Sequence, residues 1–136
     1  MSSSLVVVMA PEQVEVLAGR LRARGLVDRP PPDRPSIEWQ GGSIGFDFSG
    51  RVLDDLEEEV VEVVLPALGD PFAVLVMFRS IRAVGTLLVE VLDGLTGYVD
   101  TNHGELLEIG AFTGLVGGHP GWDWRVTGAG EAGEAG

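Results

Sequence analysis

The chain has 136 residues, 45% of them apolar, which is enough for one hydrophobic core and indicates a single domain. It carries 21 Asp and Glu against nine Arg and no Lys, a formal net charge of −12, so we expect it to bind neither nucleic acid nor a membrane surface. It has no Cys, which excludes disulfides and thiolate chemistry.

The N-terminal quarter is predicted to hold a strand, a helix and a loop. Leu5–Met9 is a continuous apolar run typical of a strand buried on both faces. With Ala10 the run is only about six residues long and no positive segment precedes it, so it does not resemble a signal peptide and we expect a cytoplasmic protein. A helix follows from Pro11 to a stop at Gly25, and the four prolines of Asp28–Pro35 predict an extended loop.

The middle of the chain is predicted to form a hairpin and then a helix. Apolar residues alternate with small or polar ones in Ser43–Phe48, which can pair with Ser36–Trp39 across a glycine turn. A helical period of apolar residues begins near Val52, and Pro66 either ends this helix or kinks its last turn.

The helix predicted from Val52 has an acidic face. Five carboxylates share an arc of about 140° opposite the apolar residues. No Lys or Arg follows any of them at a spacing of four, and like charges at that spacing are destabilising. A sequence that tolerates such repulsion can use it for recognition, although the usual meaning of a charge run is a solvated face. The candidate partner-binding residues here are Asp54, Asp55, Glu58, Glu59 and Glu62.

The second half of the chain shows the same mixture of patterns. Apolar runs, helical periods and turn residues predict a buried strand over Phe72–Phe78, a helix over Ser80–Leu95, a hairpin of Gly97–Thr101 and Glu105–Ile109, and a short helix over Ala111–Val116. This order predicts an α+β fold over residues 1–126, with amphipathic helices packed on one face of a mixed, mostly antiparallel sheet. Residues 127–136, rich in Gly, Ala and Glu, are predicted to be a flexible acidic tail.

A second candidate partner-binding segment is Trp122-Asp123-Trp124. Trp is enriched among the residues that dominate interface energies. The alternative is structural, with one indole sealing the edge of the core and the other half-exposed.

One hairpin carries the residues of an alternative, small-molecule or metal site. Asp100, His103 and Glu105 lie close together in sequence, but a zinc site needs three or four convergent ligands and the chain has only two His and no Cys. The structural alternative is that Asp100 and Asn102 cap the turn and His103 is exposed. No catalytic residue, metal or cofactor is assigned.

The C-terminal half also resembles a known group of proteins. The segment Tyr98–Leu107, a short helix and then His119–Arg125 are similar to small acidic bacterial immunity proteins encoded beside polymorphic toxins. The resemblance implies a cytosolic α+β domain that binds one cognate toxin and blocks it, and it identifies no contact residues.

Charge and resemblance together predict a non-enzymatic acidic binding protein that neutralises a basic protein partner, as a monomer or homodimer. The alternative function is a small-molecule- or metal-binding domain or enzyme with a pocket near Asp100, His103 and Glu105.

Overall fold

Six strands pair in one antiparallel sheet, and each lies where the sequence pattern predicts a strand. The computed structural model describes residues 3–30 and 32–130. The strand order β2-β3-β4-β1-β5-β6 places the first strand of the chain in the centre of the sheet. The strands are β1 (Ser3–Met9), β2 (Ser36–Trp39), β3 (Gly42–Asp47), β4 (Phe72–Phe78), β5 (Tyr98–Asp100) and β6 (Leu106–Glu108).

In the described residues, three α-helices and one 3-10 helix connect strands, and a fourth α-helix follows the last strand. Local chemistry sets several of their ends: Pro11 occupies the first turn of the first helix, and the Ser80 hydroxyl accepts a hydrogen bond from the Ala83 N–H (3.1 Å) at the start of the third. None of the helices in the described ranges combines the length and the apolarity that a membrane crossing needs. The helices are α1 (Pro11–Ala23), the 3-10 helix (Arg51–Asp55), α2 (Glu58–Leu68), α3 (Ile81–Val91) and α4 (Ile109–Gly118).

Helices cover both faces of the sheet. Leu5, Val7 and Met9 of β1 pack in one cluster with α1, α3 and α4, and we call this side the closed face. Val6 and Val8 point the other way and pack with the 3-10 helix and α2, which we call the open face. The α+β class is confirmed, but the expectation that all helices pack on one face is wrong, because both sets of alternating β1 side chains are apolar and each needs a cover.

The acidic segment is two helices and not the single helix predicted from Val52. After the 3-10 helix, Leu56 and Glu57 are extended, with ψ near 146° and 147°, and α2 begins only at Glu58. The interruption takes Asp54 and Asp55 out of the helical spacing at which they would repel Glu58 and Glu59. It also places those two glutamates in the first turn of α2, where the helix dipole favours negative charge.

The C-terminal segment is attached to the domain. The Trp122 indole N–H donates to the Thr127 carbonyl (2.9 Å), and the Ala129 N–H donates to the Glu105 carboxylate (2.8 Å). The predicted boundary after residue 126 is therefore too early, because residues 127–130 are held by these contacts. The remainder of the predicted tail, 131–136, lies outside the described residues.

Candidate functional site: an acidic groove on the open face

One row of side chains crosses five strands and forms the floor of a groove. Asp47 of β3 is in register with Leu75 of β4, which is in register with Val6 of β1. Val6 is in turn in register with Asp100 of β5, and Asp100 with Leu106 of β6. All five residues line a groove of about 1130 Å³. Four interstrand spacings give the floor a length of about 19 Å.

The groove remains open beside α2, which packs on the neighbouring row of the sheet and, on the floor, against Val6. Val60 and Val64 of α2 pack in one cluster with Val8 and Ala73, two residues along the strands from the floor. Val63, on the groove side of α2, is 45% exposed. Apolar surface therefore remains accessible along this wall and, on the floor, at the half-buried Leu75 and Leu106, whereas Val6 is 4% exposed.

Carboxylates predominate around this apolar surface. Six line the groove against two guanidinium groups, so its walls are negative like the chain as a whole. Low-dielectric walls of one charge sign focus the field and attract ions of the opposite sign. The six are Asp47, Asp55, Glu57, Glu59, Asp100 and Glu105, and the two cations are Arg34 and Arg51.

The β3 end of the groove is partly neutralised by its own residues. The Asp47 carboxylate accepts a hydrogen bond from the Ser49 N–H (2.8 Å) and lies 4.0 Å from the Arg34 guanidinium. Burial raises the pKa of Asp47, but the hydrogen bonds from Ser49 and the charges of Arg34 and Arg51 outweigh it and leave the pKa below its ordinary value. The uncompensated negative charge is thus concentrated toward α2 and the β5–β6 loop.

The β5–β6 loop is held in a fixed conformation at the other end. Asp100 Oδ1 accepts from the Asn102 N–H (2.9 Å), and Asn102 adopts a left-handed φ of 63°. The Asn102 amide donates to the Ser4 carbonyl (3.3 Å) and to the Ser4 hydroxyl (3.1 Å), which joins the loop to β1. Asp100 therefore caps this turn, and His103 is exposed, as the structural alternative for these residues predicted.

The metal site considered at Asp100, His103 and Glu105 has no ligand set among the described residues. Within residues 3–30 and 32–130, no three His, Cys, Asp or Glu side chains are arranged to hold a metal ion. The Glu105 carboxylate is engaged by the Ala129 N–H, and Asp100 is engaged by its own turn. The residues of the alternative instead contribute Asp100 and Glu105 to the acidic groove.

The groove changes which acidic residues are candidates for partner contact. Asp55 and Glu59 of the predicted set line it, whereas Asp54, Glu58 and Glu62 are exposed outside it. Sequence reasoning missed Glu57, which lies at the boundary of the helical projection, because the projection assumed one continuous helix. It also missed Asp47, whose position depends on strand register.

The predicted Trp122-Asp123-Trp124 contact segment is buried in the closed face. Trp122 is 6% exposed and Trp124 is 2% exposed, and both line a second pocket of about 390 Å³, so their contact with a partner stays a prediction. Asp123 forms a two-pronged pair with Arg125, with both nitrogen–oxygen distances 2.9 Å. The hydrogen bond from Arg125 holds the pKa of Asp123 below its ordinary value.

These features define an acidic single-domain α+β protein with a groove across one face of its sheet. No family model, no curated protein and no solved structure matches the chain.

Proposed function

We propose that this protein is a non-enzymatic acidic binding protein that neutralises a basic protein partner through the open-face groove. The observation that carries the proposal is the combination of an apolar floor with carboxylates on two opposing sides. On one side, Asp55 comes from the 3-10 helix, Glu57 from the extended residues after it and Glu59 from α2. On the other, Glu105 comes from the β5–β6 loop, next to Asp100 at the β5 end of the floor.

This arrangement suits the surface of a basic protein better than free cations, because it combines apolar surface with negative charge. Apolar floor residues supply the hydrophobic contact that stabilises an interface, and the surrounding charges steer the partner and fix its orientation. The exposed carboxylates outside the groove, Asp54, Glu58 and Glu62, extend the negative field and accelerate encounter. The similarity of the C-terminal half to immunity proteins makes a cognate toxin the partner that we propose.

The proposal is tested by capturing partners from the source cells with the tagged protein at low and at high salt. We expect recovery of one basic protein at low salt and weaker recovery at high salt, because exposed charges are screened. Recovery of no basic protein at either salt concentration would contradict the proposed function.

Two triple variants then locate the contact surface. The groove triple is Asp55→Asn, Glu57→Gln and Glu59→Gln, and the matched triple outside the groove is Asp54→Asn, Glu58→Gln and Glu62→Gln. Each removes three charges, so their effects on the net charge are matched. The groove triple takes two of them from the N-terminus of α2, at Glu57 and Glu59, and the outer triple takes one there, at Glu58, so the folded stability of both variants is measured first.

We expect the groove triple to raise the Kd for the captured protein by at least about tenfold, through both rates. The outer triple should lower the association rate a few-fold and leave the dissociation rate unchanged, since distant charges act on encounter. Surface plasmon resonance measures both rates. Equal effects of the two triples would assign recognition to the overall charge and not to the groove.

A further inference from the structure

Asp100 is an unusual member of the groove floor because it is a buried charge. It is 8% exposed, and no other charged residue in the described ranges is buried. Its neighbours in the row across the sheet are the apolar side chains of Val6 and Leu106. A carboxylate in such surroundings normally has a cation beside it or several hydrogen bonds, because burial of an unpaired charge is unfavourable.

The Asp100 carboxylate is only half satisfied within the domain. Oδ1 accepts the Asn102 N–H at 2.9 Å. None of the hydrogen bonds or ion pairs formed within residues 3–30 and 32–130 reaches Oδ2. The groove floor therefore holds a carboxylate oxygen, Asp100 Oδ2, that has neither a hydrogen-bond donor nor a cation as a partner among the described residues.

We propose that Asp100 receives one guanidinium or ammonium group from an extended segment of the basic partner that lies along the groove floor. This inference rests on the proposed function and specifies the chemistry of the partner at one position. A cation there would complete the Asp100 pair inside the groove, where solvent screens the interaction less than at the rim.

The dimensions of the groove favour an extended segment over a helix. A wall stands over the row of side chains on each side of the floor. On one side α2 packs on the row of Val8 and Ala73, and on the other Arg34 and Asn102 bond to the row of Met77 and Ser4. These rows are separated by four residues along the strands, about 13 Å, and the wall atoms themselves fill part of that width. A helix with its side chains needs about 10–12 Å, so it does not fit, whereas a single extended chain does.

The order of residues along the floor predicts a pattern in the partner. An extended chain directs alternate side chains toward the floor. A cation above Asp100 then has an apolar neighbour two positions before it, over Leu75 and Val6, and another two positions after it, over Leu106. The intervening side chains face away from the floor, toward the rim carboxylates.

Two capped heptapeptides test this arrangement with the full-length protein. The first, acetyl-Arg-Leu-Arg-Arg-Arg-Leu-Arg-amide, presents leucine, arginine and leucine to the floor and arginines to the rim. The second has glutamine in place of the central arginine and keeps every rim-facing charge. Kd values come from NMR titrations of the wild type, Asp100→Asn and the control Glu62→Gln, and the perturbed amides identify the contact surface.

We expect the central arginine to improve Kd at least fivefold in the wild type and in Glu62→Gln, and to give no improvement in Asp100→Asn. This non-additivity is the signature of a direct pair. The amides of β1, β4 and the β5–β6 loop should shift. Asparagine retains the oxygen that accepts the Asn102 N–H, so Asp100→Asn should fold. If it does not fold, Leu106→Arg, which places a cation beside Asp100 from within the chain, should abolish the preference for the first peptide.

If the glutamine peptide bound more weakly than the arginine peptide by the same factor in all three proteins, the inference would be overturned, because the central arginine would then act without Asp100. Failure of both peptides to bind would overturn it as well. Neither result bears on the salt-dependent capture of a basic protein, which tests the proposed function separately.

Discussion

The two faces of the sheet differ in how completely helices cover them. In the described residues the closed-face cluster contains 26 buried apolar residues, and the open-face cluster contains six. Because burial of apolar surface is the main favourable term in folding, the closed face supplies most of the stability. The open face contributes less to folding and keeps apolar and acidic surface exposed in its groove.

The largest expected effect is on the free energy of unfolding, when one large side chain is truncated on each face. Phe112 is fully buried, with its ring centroid 5.2 Å from that of Trp124 and 6.1 Å from that of Trp122. Phe112→Ala should lower the free energy of unfolding by about 3–5 kcal/mol, because it removes packing and leaves a cavity. Val63→Ala, in the groove wall, should change it by less than about 0.5 kcal/mol. Urea denaturation measures both, and a comparable loss in the two variants would contradict the division between the faces.

An intermediate effect tests how tightly the closed face is packed. A Cβ atom on Gly85 of α3 would lie 3.0 Å from Val116 Cγ1 of α4, whereas a Cβ on Gly19 of α1 would meet nothing within 4 Å. Gly19→Ala should raise the free energy of unfolding by about 0.5–1 kcal/mol through its helix propensity.

Gly85→Ala makes the same gain in propensity but overpacks the contact between α3 and α4. It should be less stable than Gly19→Ala by at least about 1 kcal/mol in the same denaturation experiment. Equal stabilisation by the two substitutions would show that α4 can move away from α3 at little cost.

The smallest expected effect is on the pH dependence of stability and comes from the pair of Asp123 with Arg125. The pKa of Asp123 is lower in the folded protein than its unfolded value of 3.8, chiefly because of the hydrogen bond from Arg125. Its contribution is therefore fully present above pH 3.8 and is lost as the pH falls through the folded pKa. Asp123→Asn should lower stability at pH 7 by about 0.5 kcal/mol, and the loss should shrink as the pH falls below 3.8, as judged by thermal denaturation.

Asp54→Asn is the control for this comparison, because Asp54 is exposed and has no ion pair within the described residues. It should leave the pH dependence of stability unchanged. A loss for Asp123→Asn that does not shrink as the pH falls below 3.8 would mean that the substitution acts through packing or the turn and not through charge.

The sequence predicted all six strands because their signals are local. Alternation identified the first hairpin, turn residues identified the second, and the apolar runs over Leu5–Met9 and Phe72–Phe78 identified the two central strands. It also predicted α1, whose boundaries follow from Pro11 and the positive φ of Gly25. The break before Glu58 was missed because Leu53, Leu56 and Val60 satisfy a helical period whether or not the helix is continuous.

The groove could be predicted only in part, because it depends on which strands are neighbours. The negative charge and Asp55 and Glu59 follow from composition and local pattern. The approach of Asp100 to Val6, and of Val6 to Leu75, follows from the pairing of β1 with two strands that are distant in sequence. No local pattern encodes that pairing, and the burial of Trp122 and Trp124 likewise depends on where α4 packs.

The central position of β1 has a consequence for how the chain folds during synthesis. This apolar strand leaves the ribosome before the other five, yet its partners are the fourth and fifth strands along the chain. The β2–β3 hairpin can form from local contacts alone, whereas β1 cannot pair until β4 has been made. Such non-local pairing is slow, and an unpaired apolar strand is prone to aggregate in the meantime. Of the six strands, β1 therefore waits longest for its partners while the chain is being made.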